Sequence, residues 1–161
     1  MPEYSVKAAY LFNFGKFVRF ASSDEVNNRQ SFDICIVGED PFGHALDGLT
    51  ANERLDGKPV RVARLKTVAE ARGCSIAYIS SSEGARVAAD LEALRGQQIL
   101  TVSDAANFLQ RGGMIQFLIV GNHVRFAVDL NAVRGAQLGL SSELLKVATS
   151  VTEETSQVVR P

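Results

Sequence analysis

From Ser5 to Phe20 the chain sets Val6, Tyr10, Phe14 and Phe17 three and four positions apart, with Lys7, Lys16 and Arg19 among them. That spacing predicts an amphipathic helix with a wide apolar side. Asp24 to Gln30 is a polar loop, and Phe32 to Val37 (FDICIV) is β-rich and almost wholly apolar, as in a central strand of a parallel sheet. Asp40-Pro41 opens a helix, with Asp at the N-cap and Pro at the first helical position. Val60 to Leu65 alternates like a half-exposed edge strand, and a short helix follows from Thr67 to Arg72. Ile76 to Ile79 is a third strand, Glu83 to Leu94 a helix, and Ile99 to Val102 a fourth strand. Asp104 then caps a helix running to Arg111. Two apolar strands joined by Gly121-Asn122 follow the pair Gly112-Gly113 and predict a hairpin, with Gly first in a type II′ turn. Ser141 to Ala148 reads as a closing helix capped by Ser141 or Ser142. The tail, 151–161, is expected to fray.

Strands alternating with helices require right-handed crossovers. The expected fold is therefore α/β: a three-layer sandwich with a mainly parallel, doubly wound sheet in strand order 2-1-3-4, extended at one edge by the C-terminal antiparallel hairpin. The chain has 161 residues, 46% of them apolar. That length suits one domain over residues 1–150. Formal charge is −1 with Lys and Arg scattered, so nucleic acid is not an expected partner. No apolar run reaches the roughly 20 residues needed to span a bilayer. Met1-Pro2-Glu3-Tyr4 shows no export signal, which leaves a cytoplasmic protein or a mature exported domain starting at a new Met.

Open α/β sheets bind ligands at the carboxyl ends of their strands, so chemistry is sought there first. Gly38 and Gly43 have the spacing of a phosphate loop. His44-Ala45 replaces its Lys and Ser/Thr, however, and Glu39 and Asp40 would repel phosphate, so the turn reads as a turn. The same two carboxylates would suit the Mg²⁺ site of a phosphoacceptor receiver, but Ser80-Ser81 stands where the acceptor Asp is needed. Two His and two Cys at no ligand spacing argue against a metal. No nucleophile with a base is visible, so no catalytic residue is assigned. Cys35 in the first strand and Cys74 before the third would lie on neighbouring strands, and two readings stand: a disulfide, or two buried thiols.

The segments VKAAYLFNFGKFVRF, ICIVGEDPFG and GCSIAYISSSE, followed by the run from ILTVSDAANFLQRGGMIQFLIV to GLSSELLKVA, resemble in this order the YfiR family of exported regulatory domains. The resemblance extends from about Val6 to Ala148. It implies a periplasmic, non-catalytic protein without a cofactor, which binds the periplasmic sensory domain of a membrane-bound diguanylate cyclase. That binding would hold the cyclase inactive, lowering cyclic di-GMP and biofilm formation. A homodimer and an outer-membrane lipoprotein regulator are further implied partners. The resemblance also implies that Cys35 and Cys74 form a disulfide, whereas Leu109 and Gln116 stand where some members carry a second cysteine pair.

Partner contact is expected on the first helix, whose aromatic surface exceeds one core stripe. With Tyr10, Phe14 and Phe17 inward, Leu11, Phe12 and Phe20 are left for a partner or a second copy. A reading of another class is a small-ligand sensor or unrecognised enzyme, coupled in one version to a histidine kinase. Its cleft would be Glu39, Asp40, Ser103 and Asp104, with Arg125 or Arg134 as an anion clamp.

Overall fold

The computed structural model describes residues 2–153. In chain order the elements are α1 (Glu3–Phe17), β1 (Val18–Phe20), α2 (Asp24–Asn27), β2 (Phe32–Val37), α3 (His44–Thr50), β3 (Arg54–Leu55), β4 (Lys58–Leu65), β5 (Ile76–Ile79), α4 (Val87–Leu94), β6 (Leu100–Ser103), β7 (Ile115–Val120), β8 (His123–Asp129), α5 (Leu130–Gly135), β9 (Leu138–Leu140), α6 (Ser142–Val147) and β10 (Ser150–Thr152). Short 3₁₀ turns lie at Val68–Ala71 and Ser81–Arg86.

The main sheet has the order β10-β8-β7-β6-β5-β2-β4-β3. Strands β4, β2, β5, β6 and β7 run parallel, and within them the expected 2-1-3-4 order appears as β4-β2-β5-β6. Alternation along β2 divides the core between the two faces. Ile34 and Ile36 join α1, α3 and α6 through Leu11, Phe14, Leu46 and Leu144. Cys35 and Val37 face the other way, toward Ala71 and the α4 residues Leu91 and Leu94. Helices thus cover both sheet faces, which makes the three layers.

Several local expectations are corrected. The first helix stops at Phe17, because Val18–Phe20 pair antiparallel with Leu138–Leu140 as β1 and β9. Asp24–Asn27 is a short helix rather than loop, since the Ser23 side chain accepts from the Val26 N–H. Asp40 caps no helix: it accepts from the Phe42 N–H, and α3 begins four residues later behind Gly43, at φ +57°. The expected Glu83–Leu94 helix is broken at Gly84, whose φ of +54° kinks the Ser81–Arg86 3₁₀ segment, so that α4 begins only at Val87. Asp104 starts no helix either, because Ser103 Oγ takes the Ala105 N–H while the Asp104 carboxylate is used elsewhere.

The hairpin forms, with Val120 opposite His123. Its turn has φ of +55° at Gly121 and +65° at Asn122, the type I′ pattern rather than II′. Only its second strand is antiparallel to the sheet, because β7 runs parallel to β6. The fraying expected of the tail fails at its start: Ser150–Thr152 pair parallel with Ala127–Asp129. The rest of that tail, 154–161, lies outside the described residues.

Candidate functional site

Strand ends, the first helix and the hairpin meet around one buried charge. Lys7 sits on the α1 stripe that continues as Leu11 and Phe14, so the fold carries it inward, and only 3% of its side chain is exposed. Its ammonium reaches Asp104 Oδ2 at 2.8 Å, just beyond β6, and also pairs with Glu3 one turn earlier. Tyr4 donates to the same Asp104 oxygen at 2.6 Å. Burial works to raise the Asp104 carboxyl, but hydrogen bonds from Lys7 and Tyr4 outweigh it and hold the group below the usual carboxylate range. The Tyr4 hydroxyl is pushed up, by burial first and by that carboxylate second. Tyr78 at the end of β5 is fully buried against Phe42, and its hydroxyl is pushed up by burial and by the Asp104 charge without closing a well-formed bond to it. A buried Lys was not expected. Its signal was the spacing Lys7-Leu11-Phe14, which puts a cation in a core stripe and demands a carboxylate partner.

The crevice between β2 and β5, where a doubly wound sheet changes winding direction, is filled by its own chain. The Glu39 N–H donates to Ser82 Oγ at 2.9 Å, and a Cβ on Gly38 would come within 2.6 Å of that oxygen. Behind it, Glu83 and Asp90 are 4% and 6% exposed. Burial, then the facing Glu83 carboxylate, push the Asp90 carboxyl up to about 7. Glu83 keeps its charge, supported by its contacts with Asp90 and Arg86.

The six expected cleft residues do not assemble. Glu39 is exposed, while Asp40 pairs with Arg64 at 2.8 Å. Ser103 is fully buried and donates to the Ile79 carbonyl, and Asp104 belongs to the Lys7 cluster. Arg125 folds onto the carbonyl of its own neighbour Val124 at 3.0 Å, and Arg134 pairs with Glu153. Among the described residues no hydrogen bond or ion pair joins any of the six to another, so they make no anion clamp.

The expected contact surface on α1 is corrected too. Leu11 is fully buried and Phe12 is 7% exposed, because α1 packs on the sheet and against the neighbouring helices α3 and α6. Phe20 is half-buried, edge-on to Phe32 at 6.1 Å and beneath the Arg29 guanidinium. What α1 does leave open is a groove of about 500 Å³ against the hairpin, lined by Val6, Tyr10, Ile119, His123, Val124 and Arg125 among others. Cys35 and Cys74 are joined in a disulfide, with Cα atoms 6.2 Å apart.

The YfiR/HmsC-like family model matches residues 4–149. The chain belongs to that family. No curated protein matches it. The matched span holds the buried Lys7 cluster, the disulfide and the hairpin groove together. The family is associated with periplasmic regulation of diguanylate cyclase signalling. Among the described residues no helix is long and apolar enough to cross a membrane.

Proposed function

We propose that this YfiR/HmsC-like chain is a non-catalytic periplasmic inhibitor that binds the sensory domain of a membrane-bound diguanylate cyclase and holds the enzyme in its inactive state. The observation that carries this reading is the family match over residues 4–149, nearly the whole described chain. The site chemistry is in keeping with it. Lys7 is clamped by two carboxylates, Ser103 Oγ is committed to backbone groups, and the cysteines are joined, so these four side chains are engaged in holding the fold. Inhibition without chemistry requires tighter binding to one state of the partner than to the other, because equal affinity shifts nothing.

The test is a deletion strain complemented with the chain directed to either compartment. Loss of the gene is expected to raise cyclic di-GMP and surface attachment, and the exported chain to restore both. Restoration by a chain retained in the cytoplasm would sink the periplasmic reading. Unchanged cyclic di-GMP on deletion would sink the cyclase reading.

A further inference from the structure

We propose that the groove between α1 and the β7–β8 hairpin, together with the adjoining outer edge of β8 that no described strand pairs, receives an extended, acidic and apolar segment of the cyclase's sensory domain by strand addition. The proposal rests on the cyclase reading above and assigns it a surface. Three observations meet at this place. First, β10 covers β8 only over Ala127–Asp129, and among the described residues no strand pairs with the outer edge from His123 to Arg125. In a two-residue hairpin closed by Val120 and His123, the next pair, Ile119 and Val124, is the non-hydrogen-bonded kind. The N–H and C=O of Val124 therefore point away from β7. An edge of this kind is a template for another chain.

Second, the surface beside the edge is apolar where solvent would favour polar groups. Ile119 is 51% and Val120 52% exposed at the hairpin tip, and Val6 and Tyr10 of α1 are half-buried across the groove. Third, the rim carries a cation, Arg125, that no carboxylate of the described residues answers. Glu3 already answers Lys7, whereas among the described residues Arg125 forms no ion pair and bonds the outward Val124 carbonyl at 3.0 Å, which the Tyr10 hydroxyl also reaches at 3.5 Å. An incoming carboxylate would draw the guanidinium away and leave only the long Tyr10 contact on that carbonyl, which a ladder bond would replace, so the Arg125 side chain blocks neutral strands and admits acidic ones. A second copy fits less well, because it would bring its own His123 and Arg125 to the same strip.

The experiment measures binding of the cyclase's isolated periplasmic domain to the full chain and to three exposed-site variants, Ile119→Asp, Arg125→Glu and Leu49→Asp. Leu49 is an exposed apolar residue on α3, away from the groove. The expected result is at least about tenfold weaker binding for the first two, with Leu49→Asp unchanged. Backbone exchange at Val124 should slow in the complex. Equal affinity across all variants overturns the groove while leaving the cyclase reading standing, and absence of binding by the unaltered chain overturns both. If Ile119→Asp unfolds, Arg125→Glu alone decides. Sedimentation of the chain by itself completes the test: a dimer that Arg125→Glu or Ile119→Asp dissociates makes the occupant a second copy and overturns the proposal.

Discussion

Lys7 shows why a buried charge is better read as a constraint than as a gain. Its side chain and that of Asp104 are 3% and 10% exposed, so both ions have left water and each depends on the other. Lys7→Met is expected to destabilise the chain by about 3 kcal/mol, since it leaves a buried carboxylate with only Tyr4 as donor. The double variant with Asp104→Leu should recover most of that loss, and urea titration of the three proteins checks it. A double variant as unstable as the single one would show that packing, not the charge, is at stake. Asp104 adds acid sensitivity: its folded pKa is depressed, so the stability it contributes is present above its unfolded value and is lost as pH falls through the lower folded one. Asp90 behaves in the opposite sense. With its carboxyl raised to about 7, the folded state holds a proton that the unfolded chain has released, and stability falls as pH rises from the unfolded value through about 7. Asp90→Asn should therefore leave melting unchanged only below about pH 4, and raise it progressively above that, by on the order of 10 °C near pH 8. A pH-independent difference would mean that the pair does not share a proton.

Among the elements, the disulfide holds the neighbourhood of the β2–β5 crevice from behind. It links the middle of β2 to the residue two before β5, across 39 positions of sequence. A loop of that size contributes about 4 kcal/mol in the chain-entropy model. Urea unfolding of the oxidised chain against the dithiothreitol-reduced chain should recover a difference of that order, and a difference near zero would mean that the bridge constrains little. The bridge could be suspected from strand adjacency, but residue spacing alone left free thiols open, because burial suits a thiol as well. Strands β2 and β5 were legible to the residue, since FDICIV and IAYI are unbroken apolar runs. Caps were less legible. Asp40 and Asp104 look like N-caps by type, yet each was claimed by a distant cation, Arg64 or Lys7, which no local pattern reveals. The inward face of α1 was misread for a related reason: a helix covered by both sheet and helices has no single apolar stripe, so Leu11 and Phe12 were as buried as Phe14. Gly113 could be seen as part of a turn but not as a close contact, where a Cβ would overlap the Phe108 ring.

For the molecule as a whole, inhibition is a matter of differential affinity. Moving a cyclase from 99% active to 1% requires about 5.5 kcal/mol tighter binding to the inactive state. A standard interface covers about 800 Å² of each partner, near a tenth of this chain's 8524 Å² surface, and the hairpin groove supplies only part of that. Contacts beyond the groove can then strengthen binding to both cyclase states equally, while those that read the inactive state alone set the inhibition. The two kinds separate in a titration of reconstituted full-length cyclase with the chain, followed as cyclic di-GMP synthesis. A variant that weakens both states equally should shift the midpoint and reach the same residual activity at saturation. One that loses about 1.4 kcal/mol of the differential should level off at about 9% residual activity instead of 1%, however much protein is added. If Arg125→Glu and Ile119→Asp raise that plateau, the groove distinguishes the cyclase's states; if they move only the midpoint, it is a general anchor and the discrimination lies elsewhere on the surface. A plateau that falls steadily with added chain in every variant would contradict a two-state mechanism altogether.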